Sequence, residues 1–201
     1  MTTPSYWSQA VVELADRDAT LAHLITQARH TRLQRRRDAF GALARAIVGQ
    51  QISTQAARSV WTRLTGCVTS FAPNTIAAAD QVILCGAGLS KQKVRYLQDL
   101  ASHFATGSLA PGRWRSMDDE SVVADLMRVK GIGRWTAEMF LIFHLQRPDV
   151  LPVGDLGLQK AMSAHYNRGR PLTEKRLRRL AGPWAPWRTV ATWYLWRSLD
   201  P

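Results

Sequence analysis

Apolar residues recur along this chain at intervals of three and four, the spacing that gathers them on one face of an α-helix. No segment sustains the period-two alternation of a half-buried strand, and no internal repeat stands out. Tyr6 to about Arg29 reads as two amphipathic helices with a break near Ala15-Asp16, the second carrying Leu21, Leu24, Ile25 and Ala28 as its inner stripe. Asp38 is the expected N-cap of a helix with Phe40, Leu43, Ala44, Ile47 and Val48 inward. After Gly49-Gln50-Gln51-Ile52, Ser53 caps the next helix, which runs from Ala56 to Leu64 and stops at Gly66. Residues 67–88 read as short helical pieces and turns. Ser90 then caps a long basic helix with Val94, Leu97, Leu100, Ala101 and Phe104 inward, and Lys91, Lys93 and Arg95 outward. Gly107 to Arg115 is a loop, and Asp118, Asp119 and Glu120 open the following helix with charge that complements its dipole. The expected fold is all-α, with about ten helices and no sheet.

Val122, Val123, Leu126 and Val129 close one helical pattern, and Ala137, Phe140, Leu141 and His144 open another. Between them stand Lys130-Gly131-Ile132-Gly133-Arg134-Trp135. Glycine permits a tight turn and a close backbone approach. Here the turn runs into a helix N-terminus, so the N–H groups of Gly131, Gly133 and Trp135 are candidates to meet one anion, with Lys130 and Arg134 beside it. On these residues alone, a phosphate clamp and an ordinary glycine-capped helix–helix turn fit equally well.

Arg147 to Gly157 is punctuated by two prolines, and a helix is expected to begin near Asp155. An Asp at such a position is more often a cap than a catalyst. A helix of roughly 13 residues runs about 20 Å. Asp155, 22 residues beyond Gly133, is therefore far enough along for the chain to return toward the mouth between two lobes. A helix N-terminus favours negative charge, which suits an electrostatic role. The C-terminal segment adds Trp184, Trp187, Trp193, Tyr194 and Trp196, most of them expected in the core. Gln50 and Gln51 read either as a polar interhelical turn or as amides that meet bases.

Composition narrows the choice of partner. The 201 residues carry 27 Lys+Arg against 15 Asp+Glu, a formal charge of +12, which predicts attraction to a polyanion. Arg29, Arg32, Arg35, Arg36 and Arg37 concentrate part of that charge, read first as a solvated basic loop and second as a DNA-backbone contact. No apolar run approaches the roughly 18 residues of a spanning helix, and the N-terminus lacks the pattern of an export signal. Two cysteines, Cys67 and Cys85, are too few for a disulfide scaffold, a four-thiolate zinc site or a cysteine-ligated iron–sulfur cluster.

Five strings, taken in order, resemble the helix-hairpin-helix DNA glycosylase superfamily, in its 3-methyladenine DNA glycosylase II branch. They are Ile47-Val-Gly-Gln-Gln-Ile-Ser53, Gly88-Leu-Ser-Lys-Gln-Lys-Val-Arg-Tyr-Leu97, Val129-Lys-Gly-Ile-Gly-Arg-Trp-Thr-Ala137, Leu151-Pro-Val-Gly-Asp-Leu-Gly157 and Pro186-Trp-Arg-Thr-Val-Ala-Thr-Trp-Tyr-Leu-Trp196. The resemblance covers roughly residues 35–199. It implies a single domain over 1–201, two helical lobes around a DNA-binding cleft, and a hairpin near 122–146. It also implies that Asp155 is the catalytic carboxylate and that Trp135, Trp196 and Met139 line the base pocket. Met139 stands where some relatives have a tyrosine, implying a softer pocket. DNA contacts are implied for Gly131, Gly133, Lys130, Arg134, Gln51, Gln50, Ser53 and Lys91, with Gln51 filling the gap left by the flipped nucleotide. Main-chain carbonyls of Met127, Val129 and Ile132 would hold a monovalent cation; no other cofactor is expected. Larger relatives carry an N-terminal β-rich domain, for which some 35 preceding residues leave no room.

The resemblance also bears on reaction type. Members that cleave the strand place a Schiff-base lysine two residues past the second hairpin glycine, and Trp135 stands there. A hydrolase without lyase activity is expected. It would remove 3-methyladenine- and 7-methylguanine-type purines in base excision repair, as a monomer acting on duplex DNA with alkylated bases in the cytoplasm, at the nucleoid. A glycosylase for other damaged or mismatched bases, or a non-catalytic hairpin DNA-binding protein, are the alternatives.

Overall fold

A computed structural model describes residues 3–34 and 38–200, and among these it contains twelve α-helices and no strand. Arg35, Arg36 and Arg37, the centre of the arginine-rich segment, lie outside the described residues. The chain divides into two compact units, one made of residues 1–35 and 141–201, the other of residues 36–140.

In the first unit, α1 (Trp7–Arg17) and α2 (Ala19–Gln27) meet at Asp18. The break falls there rather than near Ala15-Asp16, because Asp18 is what stops one helix and starts the next. Its backbone is extended (φ −145°, ψ 108°), and its carboxylate accepts the Leu21 amide at 3.0 Å. Tyr166 Oη and Trp184 Nε1 donate to the same carboxylate, each at 2.9 Å, which buries the junction under the C-terminal segment. A single π-turn, Leu141–Leu145, leads to α10 (Leu156–Tyr166), α11 (Glu174–Leu180) and α12 (Arg188–Arg197). α12 packs on α1, α2 and α10. Trp7, Leu14, Leu21, Met162, Trp184, Tyr194 and Leu195 fill the core of this unit.

The second unit contains α3 (Ala39–Gly49), α4 (Thr54–Gly66), α5 (Pro73–Ala78), α6 (Gln81–Gly86), α7 (Lys91–Ala105), α8 (Asp119–Met127) and α9 (Arg134–Phe140). The N-caps expected at Asp38, Ser53 and Ser90 all form, each side chain accepting the amide three residues on. All five inward positions of α3 are buried, and the helix packs on α4, α7 and α9. Two of the helices beyond the expected ten are α5 and α6, six residues each, too short to display a period in sequence. Trp114 sits in a 3-10 turn, fully buried and edge-on to Phe104 and Phe140, with its indole N–H on Asp125 at 2.8 Å. It is a core residue. Lys93 corrects the sequence reading: instead of pointing outward, its ammonium turns in and donates to the carbonyls of Val48 and Gln50, at 2.8 and 2.7 Å.

Candidate active site

The connection that delivers Asp155 is anchored at both ends within the first unit. Thr189, at the start of α12, donates its hydroxyl to the Arg147 carbonyl (2.6 Å) and accepts the Val150 amide (3.0 Å), while its own amide reaches the Pro148 carbonyl at 3.0 Å. Arg188 grips Asp149 with two guanidinium nitrogens, both at 2.6 Å. At the far end, Gln159 Nε2 donates to the Val153 carbonyl at 2.8 Å. A loop with two prolines and this many side-chain ties has few ways to move.

Asp155 then caps α10, as expected from its position: Oδ1 accepts the Leu158 amide at 2.7 Å. The same oxygen accepts the indole N–H of Trp196 at 2.8 Å. Trp196 stacks on Phe143, with ring centroids 5.9 Å apart and planes 8° from parallel. Gly157 is part of this arrangement, since a Cβ there would lie 3.1 Å from Asp155 Oδ1 and 3.3 Å from the Trp196 ring. The result is a half-buried carboxylate beside a stacked aromatic pair, fixed by an amide and an indole. Among the residues singled out in sequence, the structure brings Asp155 and Trp196 together. It adds Phe143, Asp149, Arg188 and Thr189, which carried no signal beyond Arg188 and Thr189 falling inside the Pro186–Trp196 string.

The hairpin belongs to the second unit. Gly131 has φ +82°, and a Cβ there would overlap the Tyr96 ring, so both conformation and space demand glycine. The Ile132 amide closes the turn on the Val129 carbonyl at 3.1 Å. Asp99 accepts the Lys130 amide at 2.9 Å and lies 3.5 Å from its largely exposed ammonium. The Arg134 guanidinium is held in two-point contact by Glu120, at 3.0 and 2.6 Å, with Glu138 at 3.7 Å. Trp135 is 48% exposed and Met139 is half-buried, both on α9.

Gln50 and Gln51 part ways. Gln50 donates its side-chain amide to the Gly131 carbonyl at 2.8 Å, which ties the end of α3 to the hairpin. Gln51 is exposed and left-handed (φ 57°), and Ser53 is occupied in capping α4. Lys91, the first residue of α7, is exposed. Among the described residues no cluster of three or more His, Cys, Asp or Glu side chains could hold a metal, and no helix is long and apolar enough to cross a membrane. The main-chain carbonyls of Met127, Val129 and Ile132 are neutral oxygen donors at the end of α8 and in the turn that follows it. Val129 O keeps a second lone pair after accepting the Ile132 amide.

A model of the HhH-GPD superfamily base excision DNA repair proteins matches residues 44–186. The chain is 30% identical over 183 residues to DNA-3-methyladenine glycosylase 1 of Schizosaccharomyces pombe, spanning 89% of this chain and 80% of that protein. Among solved structures, the DNA-3-methyladenine glycosidase of Bacillus halodurans superposes with a TM-score of 0.88 at 34% identity, covering 98% of this chain and 92% of that one. The S. pombe 3-methyladenine DNA glycosylase in complex with abasic DNA superposes with a TM-score of 0.83 at 28% identity, covering 94% and 96%.

Proposed function

This chain belongs to the HhH-GPD superfamily of base excision DNA repair proteins, and from that premise we propose that it is a monofunctional DNA glycosylase excising alkylated purines of the 3-methyladenine and 7-methylguanine type from duplex DNA. The observation that carries this reading is Asp155, a single carboxylate fixed by the Leu158 amide and the Trp196 indole beside a stacked aromatic pair.

A purine alkylated at N3 or N7 is already cationic and departs without protonation, so one carboxylate suffices. Asp155 stabilises the oxocarbenium-like sugar as the glycosidic bond breaks and orients the attacking water. The two donors on Oδ1 hold the carboxylate at one angle, so little reorganisation is needed when positive charge develops. The electron-rich face of Trp196 favours a cationic base by about 0.5–2 kcal/mol, which is modest selectivity and fits a broad set of lesions. Met139 contributes soft, polarisable surface.

DNA is gripped through its backbone. The amides of Gly131, Gly133 and Trp135 offer N–H groups to a phosphate, with Lys130 and Lys91 adding charge. Arg134 adds charge beside them from an exposed ion pair with Glu120. A monovalent cation on the carbonyls of Met127, Val129 and Ile132 would add positive charge to that phosphate site. Gln51, exposed and left-handed, fills the space of the everted nucleotide; Gln50 supports it through Gly131. With Trp135 at the position of the Schiff-base lysine, no strand cleavage through an imine is expected.

Asp155→Asn tests the reading. The amide keeps an oxygen for Leu158 and Trp196 but removes the charge. Release of 3-methyladenine from methylated duplex should fall by roughly 100- to 1,000-fold, while affinity for undamaged duplex changes less than about twofold. Release at the wild-type rate would remove Asp155 from the mechanism.

A further inference from the structure

One stripe of α7 ties together two loops that are far apart in sequence. Lys93, Tyr96 and Asp99 recur at three-residue spacing, on one side of the helix. Lys93 donates to the Val48 and Gln50 carbonyls at the C-terminal end of α3, where a helix leaves acceptors without intrahelical partners. Tyr96 places its ring against Gly131, leaving no room for a Cβ. Asp99 accepts the Lys130 amide at the other side of the same turn. Gln50 closes the set, its backbone held by Lys93 and its side-chain amide on the Gly131 carbonyl.

We infer that Lys93, Tyr96 and Asp99 are positioning residues that hold the Gln50-Gln51 loop and the hairpin in fixed register, so that the side chain entering the duplex and the backbone gripping it act as one element. Resting on the glycosylase reading above, this assigns to α7 a part in base eversion.

Two features favour this over plain helix capping. Carbonyls at a helix end can be satisfied by water or by a glycine turn, whereas here a half-buried ammonium is spent on them. Burial holds the Lys93 ammonium below the usual lysine pKa, so the placement carries a desolvation cost. Second, Gln51 follows directly with φ 57°, a conformation that a non-glycine residue keeps only where its surroundings enforce it.

Lys93→Met removes both bonds while preserving chain length, and Lys93→Arg restores donors. Two measurements on the intact protein decide the matter. The first is single-turnover release of one alkylated purine, either fully paired in a duplex or set opposite an abasic site where no partner base holds it. Lys93→Met should slow release from the paired site by about 10- to 100-fold, as expected for losing two bonds from a charged donor, and from the unpaired site by less than about threefold; Lys93→Arg should recover most of the loss. The second is amide hydrogen exchange in the free protein. Residues 49–54 and 129–134 should lose protection together.

Equal slowing on both substrates would reduce Lys93 to a structural cap, and exchange confined to one of the two segments would break the coupling. If wild-type protein released no alkylated purine, the glycosylase reading would fall, and joint exchange alone would still decide whether the two loops are coupled. Should Lys93→Met fail to fold, Asp99→Ala cuts the bond from α7 to the Lys130 amide with Lys93 in place and is judged by the same measurements.

Discussion

Asp155 shares Oδ1 between a helix amide and an indole, so Trp196 is more than a stacking surface. A hydrogen bond from a neutral donor to a carboxylate stabilises the anion and fixes its rotamer. Trp196→Phe keeps an aromatic face for Phe143 and deletes only that donor. The rate of base release should fall by about tenfold with ground-state DNA affinity unchanged, because the lost interaction acts on the carboxylate proposed to meet developing charge. A change in affinity at constant rate would instead make the indole a binding surface. Asp155 was legible as a helix cap from the two-proline connection before it and the helix expected to begin there. Its indole partner was not, since Trp196 lies 41 residues away and sequence spacing along α12 says nothing about what faces it across the fold. Arg134 shows another limit: an Arg beside a two-glycine turn reads as a phosphate ligand, and the sequence says nothing of the exposed ion pair that it makes with Glu120.

At the scale of elements, the loop from Arg147 to Gly154 illustrates how a short segment is made rigid without regular structure. Thr189 is fully buried and serves both a carbonyl and an amide of that loop, and its own amide takes a third bond. Thr189→Val preserves shape and removes the hydroxyl that serves the Arg147 carbonyl and the buried Val150 amide. It should cost about 1–3 kcal/mol in urea unfolding, and it should also lower base release more than Lys91→Ala does, because it loosens the support of Asp155. Release at the wild-type rate despite that stability loss would show that the loop tolerates slack. Helix starts were well marked in sequence at Asp38, Ser53, Ser90 and Asp155, since a side-chain cap is a local interaction between residues three apart; Asp118, read as first-turn charge, is itself the cap of α8. The break at Asp18 was misplaced by two residues because Ala15, Asp16 and Arg17 are all compatible with helix, and the deciding partners, Tyr166 and Trp184, are 148 and 166 residues away. Lys93 was read as solvent-facing because it stands between Lys91 and Arg95 in a basic run, but the carbonyls that draw it inward belong to α3.

For the molecule as a whole, the net charge of +12 sets how it meets DNA. Binding through phosphates releases counterions, so affinity for duplex should fall steeply with salt. About four neutralised phosphates give a slope of log K against log salt near −4, roughly a two-hundredfold loss between about 50 and about 200 mM. Undamaged and alkylated duplexes should show the same slope, because backbone contacts do not read the base. A flat dependence would mean that the basic surface is not the DNA contact.

What the sequence determined by itself was local: the helical period, the side-chain caps, the two-glycine turn, the singled-out Asp155, and the family that these strings resemble. Such signals survive in one dimension because their partners lie within a few residues. Tertiary structure decided which side chains are free to act. It paired Trp196 with Asp155, committed Gln50 to Gly131 and Arg134 to Glu120, and turned Lys93 from solvent to the end of α3. Those outcomes depend on hydrogen bonds between residues up to 81 positions apart, where only packing of the helices brings donor and acceptor within reach.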